Sequence, residues 1–230
     1  MIFFDSFGID FLPPLLIGTA IYKRYGDLEI LRGLSIEVQK GQVAAIVGPS
    51  GCGKSTLLHV LGTLDRPDQG QVLINGTDVL ALGSKKLAAF RNRHIGFVFQ
   101  FHHLLPEFSA LENVSIPGWL AGRTKSTVRQ EATQLLDKLG LSHRLDHKPS
   151  QLSGGEQQRV AVARALINKP DIVLADEPSG NLDSINAREL HQLFFRLREE
   201  TGQTFLVVTH NEELARQCDR VWMMRDGMLV

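Results

Sequence analysis

The segment that most constrains the fold is a glycine-rich loop with the pattern G-x-x-x-x-G-K-[ST]. It reads Gly48-Pro49-Ser50-Gly51-Cys52-Gly53-Lys54-Ser55-Thr56. A triphosphate needs many backbone N–H donors that converge on its oxygens, and glycine lets a backbone approach that closely. The pattern therefore predicts a triphosphate-binding loop, with Lys54 at the β- and γ-phosphates and the Ser55 hydroxyl on Mg²⁺.

The residues on both sides of this phosphate loop (residues 48–56) support that prediction. Val43–Val47 is a short, β-branched apolar run, as expected for a strand that is buried on both faces. After the loop, leucines and a valine continue at helical spacing through residue 64. A helix that begins at the loop adds free N–H groups and the positive end of its dipole. Strand, loop and helix are together the context that the pattern requires.

Further apolar runs predict a sheet of parallel strands. Residues 95–100, 172–176 and 205–210 have the composition of buried strands, and segments with helical periodicity separate them. This alternation is typical of an α/β fold with right-handed crossovers. Ligands bind at the carboxyl ends of such strands, so we expect four polar positions to converge there. They are Gly48, Gln100, Asp176 and His210.

The N-terminal third has a different pattern, which predicts antiparallel strands. Leu34, Ile36 and Val38 alternate with polar residues, and residues 72–74 form a short strand that Asn75-Gly76 closes as a turn. We expect residues 22–27 to form another turn. An antiparallel sheet here could lie beside the nucleotide base.

Asp176 and Glu177 are adjacent carboxylates that follow four apolar residues. Such a pair at a strand end suits two roles: we expect Asp176 to hold Mg²⁺ and Glu177 to act as the general base on the attacking water. The alternative is a pair of solvated acids at a strand terminus. The phosphate loop upstream favours the functional role.

A second glycine cluster, which we call the signature segment, spans residues 152–157 and reads LSGGEQ. Ser153 and Glu156 have the spacing of a capping box, which predicts that a helix over residues 157–168 begins here. A capped helix start with two glycines is also a potential anion site, and both roles can hold at once. The chain already has a phosphate loop. A second anion site therefore suggests that a second copy of the chain takes part in nucleotide binding.

The order of these motifs resembles that of the ATP-binding cassette (ABC) ATPases. The phosphate loop, Gln100, the signature segment, residues 175–178, Asp183 and His210 occur in that family's order, over about residues 15–230. The resemblance implies an α/β fold of the P-loop NTPase type, with a RecA-like parallel sheet core, an antiparallel β subdomain and a helical signature subdomain at about 101–165. It implies an N-terminal extension at 1–18 and an ABC ATPase domain at 19–230.

The same resemblance implies roles for particular residues and a head-to-tail dimer that sandwiches two ATP molecules with Mg²⁺. Tyr25 would stack on adenine, Gln100 would sense Mg²⁺ and join the catalytic groups, and His210 would contact the γ-phosphate and orient Glu177. Ser153 and Gly155 would contact the γ-phosphate held by the partner's phosphate loop, and Asp183 would lie in the loop that crosses the dimer seam. Gly154 and Glu156 would belong to the same nucleotide-binding surface.

A finer match lies between Gln100 and Val114, where the sequence resembles the ATP-binding subunits of bacterial lipoprotein-releasing transporters. The resemblance implies a peripheral subunit on the cytoplasmic face of the inner membrane that drives lipoprotein release without contacting the lipoprotein. Integral membrane subunits would dock between Phe101 and Val114. We expect an apolar docking surface there, although the same side chains could belong to the helical core; they are Leu104, Leu105, Phe108 and Leu111.

Composition and the chain ends restrict the alternatives. Lys plus Arg and Asp plus Glu both number 25, so net charge gives no case for nucleic-acid binding. Residues 1–18 are apolar but contain Asp5, Asp10 and Pro13-Pro14, and we expect an extension without a catalytic role. Three alternatives remain: an efflux ATPase of the macrolide-exporter type, a mechanotransmitter of the cell-division type that moves no substrate, and a soluble cassette that acts on DNA or ribosomes.

Overall fold

The computed structural model describes residues 13–230, which form two β-sheets and seven α-helices. The strands are β1 (Leu16–Tyr25), β2 (Leu28–Val38), β3 (Val43–Val47), β4 (Gln69–Ile74), β5 (Thr77–Asp78), β6 (Ile95–Phe99), β7 (Ile172–Asp176), β8 (Thr204–Thr209), β9 (Arg220–Arg225) and β10 (Met228–Leu229). The helices are α1 (Lys54–Leu61), α2 (Ser84–His94), α3 (Ala110–Leu120), α4 (Lys125–Lys138), α5 (Gly154–Leu166), α6 (Ser184–Thr201) and α7 (Glu212–Ala215). Two short 3₁₀ turns, Ser142–Arg144 and Pro149–Gln151, connect α4 to α5.

The larger sheet has six strands in the order β10-β9-β3-β8-β7-β6. β9, β3, β8, β7 and β6 run parallel, and β10 is antiparallel to β9. Every residue of β8 is buried, as are the first four of β3, because helices cover both faces of the sheet. The predicted parallel α/β core is confirmed, and the carboxyl ends of its strands meet at one edge.

The smaller sheet is antiparallel, in the order β2-β1-β4-β5. The turn predicted over residues 22–27 is wrong, since β1 continues through Tyr25 and only Gly26 and Asp27 connect it to β2. Gly26 has φ +59°, and the two tyrosines and the lysine before it pair with β2. The extended strand projects Tyr25 from the end of the sheet rather than from a flexible loop.

The start of β1 also moves the predicted domain boundary. Leu16 is fully buried and pairs with Val38 of β2, so a boundary between residues 18 and 19 would cut the strand. Leu15 is 5% exposed and belongs to the same apolar core. Leu15 and Leu16 therefore belong to the folded domain and not to an extension. The expectation for residues 1–12 lies outside the described residues.

Helices α3, α4 and α5 pack against one another beside the parallel sheet and share one apolar core with α6 and β8. Helix α5 begins three residues earlier than predicted, because Ser153 is its N-cap and the capping box makes Gly154 the first helical residue. Leu111 is only 2% exposed and is part of this core, so for this side chain the core alternative holds and the docking surface does not include it. Leu105 and Phe108 are exposed, whereas Leu104 packs partly against the core.

Among the helices that the structure describes, none has the length and apolar composition needed to cross a bilayer.

Candidate functional site

The phosphate loop connects the carboxyl end of β3 to the first turn of α1. Lys54 is 7% exposed, and its Nζ donates to the carbonyl oxygens of Gly48 and Pro49, at 2.9 Å each. A β-carbon at Gly48 would collide with the backbone carbonyl of Met224 on β9, and Gly53 caps α1 with φ +104°. These two glycines let the loop curl tightly around the Lys54 ammonium group, a conformation that allows backbone N–H groups to converge on an anion.

Asp176 at the end of β7 lies directly across from the start of α1. The Ser55 hydroxyl donates to Asp176 Oδ1 at 2.9 Å, and His59 Nε2 is 4.0 Å from Asp176 Oδ2. Burial raises the pKa of the Asp176 carboxyl, while the Ser55 hydrogen bond opposes that rise. Two oxygen-bearing side chains from separate elements are thus held side by side.

Glu177 and His210 form the second pair, at the ends of the neighbouring strands β7 and β8. His210 Nδ1 is 2.9 Å from Glu177 Oε2, and the His210 backbone N–H donates to the same oxygen at 3.3 Å. Glu177 has φ +44°, an unusual value for a residue with a side chain, and its N–H donates to the carbonyl of Val208. This backbone turn, fixed by the neighbouring strand, aims the carboxylate at the histidine.

Gln100 follows β6 and is joined to the segment after β7. Its Nε2 donates to Asn181 Oδ1 at 3.0 Å, and Asn181 Nδ2 donates to the Gln100 carbonyl at 3.2 Å. Asp183 is the N-cap of α6, where its carboxylate accepts from the N–H groups of Ile185 and Asn186. The Asn186 backbone hydrogen bond is the largest of the contacts that lower the Asp183 pKa.

The signature segment begins α5 with a complete capping box. Ser153 Oγ accepts from the Glu156 N–H at 3.2 Å, and the Ser153 N–H donates to Glu156 Oε2 at 2.7 Å. Arg144 Nε donates to the other carboxylate oxygen, Oε1, at 2.8 Å. The Ser153 backbone hydrogen bond and the Arg144 guanidinium lower the pKa of Glu156 to about 2. Both Glu156 oxygens are therefore engaged within the chain, while Ser153 and Gly154 are exposed.

The structure brings most of the predicted site residues to one edge of the parallel sheet, but not the signature segment. Hydrogen bonds link Ser55 to Asp176, and Glu177 to His210. Within residues 13–230, no hydrogen bond joins residues 152–157 to the phosphate loop. Tyr25, at the end of β1, is a residue that is 52% exposed.

Sequence reasoning missed several partners of the predicted residues. Arg144 clamps Glu156 from 12 residues away, and Arg164 of α5 donates to the carbonyls of His102 and His103. Asn181 exchanges hydrogen bonds with Gln100, and this pairing was not expected from the sequence. Arginines and asparagines of this kind have no local pattern, because their partners are set by the tertiary fold.

A model of the ABC transporter family matches residues 31–180. The chain belongs to the ABC transporter ATPases. This ABC ATPase is 58% identical over 209 residues to the lipoprotein-releasing system ATP-binding protein LolD of Porphyromonas gingivalis, covering 91% of this chain and 95% of that protein. The protein of the same name from Cytophaga hutchinsonii is 59% identical over 219 residues, covering 95% of this chain and all of that protein. The family and the finer resemblance predicted from the sequence are confirmed.

Solved structures confirm the fold class. The ATP-binding cassette MJ0796, in a dimeric post-hydrolysis state bound to ADP and phosphate, matches with a TM-score of 0.85 at 39% identity, covering 93% of this chain and 96% of that one. A second dimeric structure of that bacterial ABC transporter cassette matches with a TM-score of 0.86 at 40% identity. ATP hydrolysis by a transporter ATPase is therefore the activity of this family.

Proposed function

We propose that this ABC ATPase powers a lipoprotein-releasing transporter from the cytoplasmic face of the inner membrane. The observation that carries the proposal is the convergence of the phosphate loop, Asp176, Glu177 and His210 at one sheet edge, in a chain similar over nearly its whole length to LolD proteins. The geometry of the site supports ATP hydrolysis, and the similarity to LolD proteins supports lipoprotein release as the process that it drives.

In the proposed mechanism the phosphate loop binds the triphosphate through its backbone N–H groups and Lys54. Lys54 would exchange its two carbonyl partners for the β- and γ-phosphate oxygens. Glu177 would take a proton from the attacking water, and His210 would hold the carboxylate in place through the 2.9 Å contact. General-base assistance of this kind contributes roughly 10²–10⁴-fold to a rate.

The site also suits Mg²⁺. Ser55 Oγ and Asp176 Oδ1 are hard oxygen ligands held 2.9 Å apart, which is the donor chemistry that Mg²⁺ prefers. The ion would neutralise charge on the phosphate oxygens. Gln100 lies at the end of the adjacent strand β6 and would complete this side of the site.

A second copy would complete the nucleotide site. Ser153 is the N-cap of α5 and Gly154 is its first residue; both are exposed, and neither makes a hydrogen bond to the phosphate loop of its own chain. We propose a head-to-tail dimer in which they bind the γ-phosphate of the ATP that the partner's phosphate loop holds. Asp183 would lie at the interface between the two chains. Gly155 and Glu156 would act by shaping this helix start, since Gly155 packs against Asn186 and Glu156 is held by Arg144. The dimeric state of MJ0796 supports this assembly.

Membrane subunits would dock on a largely apolar groove of about 710 Å³ between β6 and helices α2, α3 and α5. Its lining includes Phe99, the residue before Gln100, and His103 from the predicted docking stretch. Leu120, another lining residue, is 77% exposed, and Phe101, two residues before His103, is 65% exposed. An occupant of the groove would press on the segment that carries Gln100, which connects docking to the ATP site.

The test is release of lipoproteins from isolated inner membranes that contain this chain and the membrane proteins that co-purify with it. We expect ATP to release lipoproteins to a soluble carrier with the parental chain, and Glu177→Gln to block release. Glu199→Gln, which changes an exposed glutamate of α6, is the matched control and should release normally. Co-purification with a cell-division membrane protein, together with normal lipoprotein release by Glu177→Gln, would contradict the proposal.

A further inference from the structure

The side chain of Tyr25 is held by a small charged cluster that the proposed mechanism does not use. Its phenol O–H donates to Asp65 Oδ2 at 2.5 Å. The other carboxylate oxygen, Oδ1, accepts from Lys23 Nζ at 2.8 Å, and the same ammonium donates to the Arg66 carbonyl at 2.6 Å. Asp65 thus joins a tyrosine and a lysine that lie two residues apart on β1.

Lys23 also occupies one face of the tyrosine ring. Its ammonium lies 5.0 Å from the ring centroid, within the range of a cation–π contact, and its side chain is only 10% exposed. The Tyr25 residue as a whole remains 52% exposed. Because the ammonium covers one face, a planar ligand would stack on the other.

The cluster ties the ring to the helix that carries the phosphate loop. Asp65 follows α1, and its N–H donates to the carbonyl of His59 near the end of that helix. The hydrogen bond to Asp65 raises the Tyr25 pKa, and the Asp65 pKa is lowered because hydrogen bonds from Lys23 and Tyr25 outweigh the effect of burial.

We propose that Asp65 and Lys23 are positioning residues that hold the Tyr25 ring as a one-sided platform for the nucleotide base. The inference rests on the proposed role of Tyr25 in stacking on adenine. It adds that the phenol hydroxyl, which need not touch the base, contributes to affinity because it fixes the ring before binding. Ordering a free side chain on binding would otherwise weaken affinity.

The experiment compares ATP with inorganic tripolyphosphate, which has no base, by titration calorimetry on the purified chain. Tyr25→Phe keeps the ring but loses the bond to Asp65, and Asp65→Asn weakens the same bond from the other side. We expect each to weaken ATP binding by roughly three- to tenfold and to leave tripolyphosphate binding unchanged. The double variant should weaken ATP binding by less than the product of the two single effects, because the two changes share the contact between Tyr25 and Asp65.

The control is Asp27→Asn, which removes an equal charge from the exposed turn next to Tyr25 and should change neither ligand's affinity. The proposal is overturned if Tyr25→Phe binds ATP as the parent does while Tyr25→Ala does not. Stacking would then not need the hydrogen bond between Tyr25 and Asp65. If Tyr25→Ala also binds ATP normally, the ring is not the platform and the inference fails. The lipoprotein-release assay uses the parental chain and Glu177→Gln, not these variants. Failure of the inference can therefore be distinguished from failure of the proposed function.

Discussion

Replacing Glu156 with glutamine tests whether this residue supports the signature helix or contacts the nucleotide. The structure places both carboxylate oxygens in contacts within the chain, to Ser153 and Arg144. Glutamine keeps an acceptor for the Ser153 N–H but loses the charge that Arg144 pairs with. We therefore expect Glu156→Gln to lower the free energy of unfolding and to leave ATP binding to the isolated chain unchanged.

The expected loss of unfolding free energy follows from the lowered pKa of Glu156. A fall from 4.5 to about 2 sets an upper limit of about 3.4 kcal/mol, at 1.36 kcal/mol per pH unit. The Arg144 side chain is 32% exposed, so solvent screening reduces this, and we expect a loss of about 1–2 kcal/mol at pH 7. Because the folded-state pKa is depressed, this stability is fully present above about pH 4.5. It is lost as the pH falls from there through about 2.

Urea denaturation from pH 7 to pH 3.5 measures this directly, and the chain provides a matched control. Glu112 of α3 forms the same capping box with Ser109, but no arginine pairs with it among the described residues. Glu112→Gln should therefore lower the free energy of unfolding by less than Glu156→Gln does at pH 7. The difference between the two losses should become smaller below pH 4.5. Equal losses for the two variants, with weaker ATP binding by Glu156→Gln alone, would refute the structural assignment and favour contact with the nucleotide.

Two further substitutions follow from the site. Glu177→Gln should keep ATP affinity within about twofold but lower turnover by roughly 10²–10⁴-fold, measured as phosphate release; parental turnover would exclude Glu177 as the general base. Gly155→Ala would place a β-carbon against the side chain of Asn186, and overpacking of this kind costs about 1–3 kcal/mol by thermal or urea unfolding. Gly154→Ala, whose β-carbon would lie 3.7 Å from Leu182, should cost less, and the opposite order would contradict the packing described here.

Much of the site could be predicted because its residues belong to local patterns. Asp176 and His210 follow strands whose apolar runs are unmistakable, and parallel strands bring such ends together. The course of β1 could not be predicted, since Lys23 and Arg24 between the two tyrosines interrupt the alternation of apolar and polar residues that marks a strand. Leu111 could not be assigned to core or surface from its own hydrophobicity, because both uses favour an apolar side chain.

Residues that support the site were beyond sequence reasoning for a different reason. The partners of Tyr25 and Gln100 lie 40 and 81 residues away. Such pairings depend on how β1 meets the end of α1, and on how β6 lies beside β7. Periodicity and turn chemistry specify each element but not which elements lie side by side. The hydrogen bond between Tyr25 and Asp65 could therefore be found only in the three-dimensional structure.

The central claim is that two chains share each nucleotide, and light scattering on the Glu177→Gln variant tests it most directly. We predict the mass of one 25.5 kDa chain without nucleotide and twice that mass with saturating ATP and Mg²⁺. In the same background, Ser153→Arg and Lys54→Ala should each abolish the dimer, whereas a mixture of the two should regain it, since one intact phosphate loop then meets one intact signature segment. A Glu177→Gln chain that stays monomeric with ATP bound, or a mixture that gains nothing, would contradict the account.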